Sequence, residues 1–310
     1  MSDTIVKVER LSHRYATQWA IKDINFEISQ TGITGLLGSN GAGKSTTMNI
    51  ICGTIFPTKG DVYINGINIK KNAVEAKKNL GFLPQLPPLY KDLNVDEYLK
   101  YCAQLKQIDK SKIKNAVEEA KEKSGITHFG NRLIRNLSGG YQQRLGIAQA
   151  ILHKPKFVVM DEPTNGLDPN QIIEVRHLIS EISKERAVLL STHILSEVQA
   201  TCDRIMMIEN GSLVFKGTIN EFDNYIDPNS FIVRFERPPT IANLLEIESI
   251  TKVESISEFN NLYRVFFDGD TNITQHVVQL SVAKGWNLQE ISIEKSSMEN
   301  VFAQLSGKKN

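Results

Sequence analysis

The sequence predicts an α/β fold built on a mostly parallel sheet, and three observations carry that expectation. Phe157 to Met160 and Ala187 to Ser191 are nearly continuous apolar runs, as strands buried on both faces require. Gly32 to Leu37 reads as a short strand that runs directly into a glycine-rich loop and a helix-compatible stretch, Lys44 to Ile51, stopped near Gly53. Helical stretches at about Asn170 to Lys184 and Leu195 to Cys202 fill the gaps between later strands, the alternation that produces parallel sheets.

Around this centre the chain changes character several times. Ile5, Val6, Val8 and Leu11, then Ile24, Phe26 and Ile28, largely alternate with polar residues, which predicts antiparallel, half-buried strands at the start. Asn65-Gly66 and Asn210-Gly211 each separate two short alternating segments and read as tight hairpin turns. From about 90 to 155 apolar residues recur at helical spacing, as in Leu93, Tyr98 or Leu99, Cys102 and Leu105, or Ile113, Val117 and Ala120. That segment is a helical insert. The pattern breaks at Asp223 to Ser230, with Asp227-Pro228 inside it. We therefore expect a first domain over 1–224, a linker over 225–230 and a second domain over 231–310. The tail reads strand, helix, two strands, helix, strand and a closing helix, from Phe231 onward. A small α+β sandwich of the ferredoxin-like kind packs such an order.

Composition narrows the function. Lys plus Arg number 36 against 35 for Asp plus Glu, for a net charge of +1, so there is no broad basic field for nucleic acid and none is expected as a partner. The three cysteines, Cys52, Cys102 and Cys202, have neither metal-ligand nor disulfide-framework spacing and read as packing residues of a reducing compartment. Met1 to Tyr15 lacks the apolar core of a signal peptide, and the apolar runs fall far short of the ~20 residues that a spanning helix needs. A cytoplasmic location is the expectation.

Gly38-Ser39-Asn40-Gly41-Ala42-Gly43-Lys44-Ser45, followed by Thr46, fits the pattern of a phosphate-binding loop between a strand and a helix. Backbone N–H groups converge on phosphate oxygens there and the helix N-terminus adds partial positive charge. Lys44 is expected to reach the β and γ phosphates, and Ser45 to ligate Mg²⁺. Phe157 to Glu162 is an apolar strand ending in two acids, which emerge at the carboxyl edge of the sheet where α/β ligands bind. Asp161 suits Mg²⁺, directly or through water, and Glu162 suits a base that polarises an attacking water; paired acids can equally cap the next helix. Leu137-Ser138-Gly139-Gly140-Tyr141-Gln142-Gln143-Arg144 starts a helix with Ser and two glycines, a second anion site or simply a capped loop.

That segment resembles the signature of ATP-binding cassette (ABC) proteins, and the motifs Walker A and Walker B stand in the family's order around it over roughly Ile5 to Phe222. The resemblance implies a P-loop NTPase of ABC type, with an antiparallel β subdomain and a helical subdomain, that hydrolyses ATP with Mg²⁺. It implies further roles. Tyr15 matches the aromatic residue that stacks on adenine. Gln85, in Gly81-Phe82-Leu83-Pro84-Gln85, matches the glutamine that ligates Mg²⁺ and relays nucleotide state to the membrane partner. Asn165-Gly166-Leu167-Asp168 resembles the D-loop, with Gly166 where relatives often carry Ala, and marks Asp168 as a dimer contact. His193, in Leu190-Ser191-Thr192-His193, matches the switch histidine that contacts the γ-phosphate. Ser138, Gly139 and Gly140 would complete the ATP site of a second subunit, so the resemblance implies a homodimer or a heterodimer with a similar chain, bound peripherally at the cytoplasmic face of the cell membrane to a separate permease. Ser297 to Leu305 resembles the closing motif of subunits that serve drug-resistance-type exporters, or is an amphipathic helix packing on the tail. A cassette ATPase of translation or DNA repair is the competing reading, and it usually carries two cassettes or a long coiled-coil insertion. A P-loop GTPase would leave the Ser138 segment unexplained.

Overall fold

The computed structural model describes residues 4–226, 228–257, 261–268, 272–294 and 298–307; Asp227 of the linker and Ser297 of the closing motif lie outside them. The chain divides into two compact units, one spanning Met1–Ile219 together with Leu305–Gly307, the other Asn220–Gln304.

The first unit opens on an antiparallel ribbon, β1 (Val6–Tyr15) and β2 (Gln18–Ile28). β3 (Gly32–Leu37) follows, then the loop that ends at α1 (Lys44–Ile51). β4 (Lys59–Ile64) and β5 (Ile67–Asn68) turn about Asn65-Gly66 and join the ribbon in a sheet of order β2-β1-β4-β5. α2 (Ala73–Lys78), capped by the Asn72 side chain, leads into β6 (Leu80–Leu83). Next come the insert helices α3 (Val95–Leu105), α4 (Lys110–Lys123) and α5 (Gly139–Ile151). Asn94 starts α3 with a reciprocal capping box, its side chain accepting from Glu97 N while the Glu97 carboxylate accepts from Asn94 N, both at 2.9 Å. The three helices bury their own core of Leu99, Val117, Leu145 and Ala148.

β7 (Phe157–Asp161), α6 (Pro169–Ser183), β8 (Ala187–Ser191), α7 (Leu195–Thr201), β9 (Arg204–Glu209) and β10 (Ser212–Thr218) complete the unit, and α8 (Ile219–Asp223) leads out of it. The second sheet has the order β10-β9-β3-β8-β7-β6, parallel except for β10. Its apolar strands carry no exposed face: Phe157 to Met160 and Ala187 to Leu190 are buried. Val8, Ile24, Phe26 and Val62 from the antiparallel sheet share one core with Leu36, Val159, Leu189 and Met206. Register then dictates where the strands end. Leu36 pairs with Ser191, Asp161 pairs with Ser191, and Leu83 pairs with Met160, so the segments that follow β3, β6, β7 and β8 emerge together at one sheet edge.

The second unit runs β11 (Ser230–Phe235), α9 (Ile241–Leu245), β12 (Ile250–Ser257), β13 (Leu262–Phe267), α10 (Ile273–Lys284), β14 (Leu288–Ile293) and, as far as Gln304, α11 (Met298–Leu305). Its sheet is antiparallel with order β12-β13-β11-β14, the ferredoxin-like arrangement. Phe231, Val233, Val265, Val277 and Trp286 form its core.

Candidate functional site

The common edge of β3, β6, β7 and β8 carries a cleft of about 540 Å³, within the range that small-molecule sites occupy. Asn40, Gly41, Gly43, Lys44, Ser45 and Thr46 form one wall, and Gln85, Glu162 and His193 form the other; Ala20 and Asn165 complete it. Gly38, Ser39 and Ala42 shape the loop from behind. A Cβ on Gly38 would sit 2.1 Å from the Ile208 carbonyl oxygen, so only glycine lets the loop pack this tightly on β9. Ser39 is pinned there as well: its Oγ donates to Glu209 at 2.5 Å and its N–H donates to the same carboxylate at 3.2 Å.

Lys44 is 6% exposed, and its ammonium donates to the carbonyls of Gly38 at 2.8 Å and Ser39 at 3.1 Å. Burial lowers its pKa, while the carboxylates of Glu162, Asp161 and Glu209 pull it back up. An ammonium so poorly solvated offers an anion a strong charge-assisted hydrogen bond, although the nearby carboxylates offset part of its charge. Asp161 lies at the end of β7, where Ser191 Oγ donates to its carboxylate. Burial raises the Asp161 pKa, and Glu162 beside it pushes the same way, against the Ser191 bond and Lys44.

Glu162 collects donors from three loops. Its Oε2 accepts from Gln85 Nε2 at 2.8 Å and from Asn165 Nδ2 at 3.2 Å, and its Oε1 is 2.8 Å from His193 Nδ1. Its backbone has φ 44, a left-handed conformation that a non-glycine residue adopts at a cost of order 1 kcal/mol or more. Its N–H still donates to the Ser191 carbonyl at 3.1 Å. The strained residue is thus tied to β8 through its backbone and to Gln85 and His193 through its carboxylate. A carboxylate with several directed donors can orient a water, and the buried Lys44 ammonium across the cleft can hold a polyanion.

The chain matches the family model "ABC transporter" over residues 21–165. It is 34% identical to the bacitracin transport ATP-binding protein BcrA of Bacillus licheniformis, with 98% of each chain covered. It is 28% identical to the linearmycin resistance ATP-binding protein LnrL of Bacillus subtilis (strain 168), over 98% of this chain and 99% of that one. A solved ATP binding subunit of an ABC transporter superposes with a TM-score of 0.65 at 29% identity, over 72% of this chain and 93% of that chain. This chain belongs to the ABC transporter ATP-binding family. As a member it is the ATP-binding and ATP-hydrolysing subunit of such a transporter. Among the described residues no helix is long and apolar enough to cross a membrane.

Several residues singled out in the ABC motifs stand away from this cleft. Ser138 and Gly139 are exposed at the start of α5, and the Ser138 side chain makes no capping hydrogen bond. Gly140 is buried against α6, where a Cβ would come within 2.6 Å of the Gln171 side chain. Asp168 caps α6, its Oδ1 accepting from Gln171 N at 3.0 Å, so the D-loop and the Ser138 segment meet through Gln171. Arg144 on α5 and Glu174 on α6 form an ion pair beside this contact. Gly166 has φ 74, a conformation that glycine enters without the strain an alanine would carry. Tyr15, at the end of the β1–β2 ribbon, is 53% exposed, stacks edge-on against His13 and does not line the cleft.

Sequence reasoning missed three residues that shape the site. Asn165 was read only as part of the D-loop motif, although an amide three residues after Glu162 is within reach of its carboxylate. Glu209 ends a strand 170 residues from Ser39, a separation that no local pattern bridges. Glu197 lies on α7, buried between the loops that carry Glu162 and His193.

Proposed function

We propose that this subunit powers a separate membrane permease, in export, through ATP-driven dimerisation at the cytoplasmic face of the cell membrane. The observation that carries the reading is Glu162 at the meeting point of Gln85, Asn165 and His193, across the cleft from Lys44. Export is supported by similarity along almost the whole chain to a bacitracin transport protein and a linearmycin resistance protein. The partner is a second copy or a similar chain.

In this reading Lys44 meets the β and γ phosphates, with the N–H groups of the Gly38 to Thr46 loop around them. Glu162 orients the attacking water, and His193 contacts the γ-phosphate. Tyr15 offers its exposed ring to the adenine. Ser138, Gly139 and Gly140 face the phosphates bound by the other subunit, and Asp168 lies at the same junction. Ser45, Gln85 and Asp161 present hard oxygen donors and would hold Mg²⁺, whose charge would neutralise the phosphates. Two adjacent acids, one with its pKa raised by burial, fit a site built for a cation. Just past Gln85 in the chain, Leu86 and Tyr90 are both exposed. These give the glutamine an apolar neighbourhood through which a permease could sense it.

Glu162→Gln tests the assignment. The variant keeps its volume and its bond partners but loses the basic carboxylate. Its kcat is expected to fall by about 10²-fold or more, while calorimetric ATP affinity stays close to that of the unaltered protein. Undiminished turnover would refute the role given to Glu162.

A further inference from the structure

Glu197 is 5% exposed, and a carboxylate so deeply placed is costly unless donors surround it. They do: two come from the loops that follow β7 and β8, and one from α6. Thr164 Oγ1 donates to Oε1, Thr192 Oγ1 donates to Oε2 at 2.7 Å, and Arg176 Nη2 on α6 stands 3.7 Å from Oε1. Thr164 lies two residues past Glu162, and Thr192 immediately precedes His193. Thr192 Oγ1 also accepts from Ile194 N at 3.1 Å, which fixes the backbone on both sides of His193. The two loops are therefore joined twice: at the cleft by the 2.8 Å contact of Glu162 with His193, and beneath it by one buried carboxylate.

We propose that Glu197 is a positioning residue for ATP hydrolysis, a clamp that sets the distance between the Glu162 and His193 side chains through the two threonine hydroxyls. The geometry favours this over simple packing. An apolar residue would fill the same volume without the desolvation cost, whereas a carboxylate supplies two acceptors that hold both loops in one register. Small displacements of reacting groups cost rate far more than they cost binding. The clamp should therefore act on turnover, leaving nucleotide affinity to the phosphate loop.

The inference rests on the roles assigned to Glu162 and His193, and its test separates the two. Glu197→Ala should lower kcat about tenfold or more, with ATP affinity by calorimetry held within about twofold, and Glu197→Gln should recover kcat to within about threefold of the unaltered protein. Because removing the buried acid, or both of its hydroxyl donors at once, can unfold the chain, Thr164→Val is the decisive variant: it is nearly isosteric and removes one arm of the clamp while Thr192 and Arg176 stay on the carboxylate. It should reproduce the selective loss of kcat. If that variant turns over within about twofold of the unaltered protein, or loses ATP affinity in parallel with kcat, the clamp is refuted. Glu162→Gln in the same assay shows which idea failed. An inactive Glu162→Gln beside an active Thr164→Val overturns Glu197 alone, and an active Glu162→Gln overturns the assignment on which it rests.

Discussion

Two helix starts of the first unit, those of α1 after the glycine-rich loop and of α5 after Ser138, differ in how far the side chains around them are satisfied within the chain. Around the phosphate loop the groups hold one another: Lys44 donates to two loop carbonyls, Ser39 is pinned by Glu209, and Glu162 gathers Gln85, Asn165 and His193. At the start of α5, by contrast, Ser138 makes no capping bond, and it and Gly139 are exposed. The first N–H groups of any α-helix lack intrahelical partners and normally take a cap or a ligand. The difference lies in the surrounding side chains: those of the cleft are preorganised from inside, while the start of α5, which like that of α1 has no side-chain cap, leaves an exposed Ser138 to something outside its own cleft. In our reading that is the nucleotide of a second subunit.

Ser138→Glu places a negative charge where phosphate would sit and should have the largest effect, lowering kcat about 10²-fold or more while ATP binding to the cleft itself is retained. Equal loss of calorimetric affinity would mean that Ser138 belongs to its own cleft. Lys44→Ala removes the buried cation and should weaken ATP binding about tenfold or more; an unchanged Kd would refute the role given to Lys44. Asp168→Ala removes the α6 cap and should cost about 1 kcal/mol, read as a lowered Tm. The smallest effect separates the two units by acid. In the second unit Arg264 holds Glu294 below its ordinary 4.5, with Ser230 helping and burial opposing. Because the folded pKa is depressed, that stabilisation is in place above 4.5 and is lost as pH falls through the depressed value. In the first unit Asp161 is raised above 3.8 by burial, so its contribution has the opposite sign, present at the acid end and lost as pH rises through the raised value. Unfolding of the second unit on acidification, followed through the buried Trp286, should be shallower in Glu294→Gln, and an identical acid profile would count against the ion pair.

Much of this was legible because local motifs fix local backbone. The strand, glycine loop and helix at Gly32 to Ile51 and the apolar strand ending in Asp161 and Glu162 need no distant partner to be recognised. The βαββαβ order of the tail likewise predicts its sheet. The antiparallel ribbon and the helical insert followed from their two- and 3.6-residue periods. What stayed hidden depends on contacts across the chain. Ser39 with Glu209 and Thr164 with Glu197 are pairings of the folded sheet edge, and no spacing announces them. Asp168 shows a different gap. Read as a dimer contact, it also caps a helix in the structure, and Asp followed by Pro at a helix start is a signal that sequence reading could have used. The left-handed φ of Glu162 had no sequence signature, since such strain is normally expected of glycine or asparagine.

In the proposed reading one chain carries two half-sites, and ATP joins them across a dimer. Size-exclusion chromatography with light scattering on Glu162→Gln at saturating ATP, with and without Ser138→Glu, addresses it most directly. The account predicts a stable dimer for Glu162→Gln that the added Ser138→Glu abolishes. A Glu162→Gln protein that stays monomeric with ATP bound, or a dimer indifferent to Ser138→Glu, would contradict it.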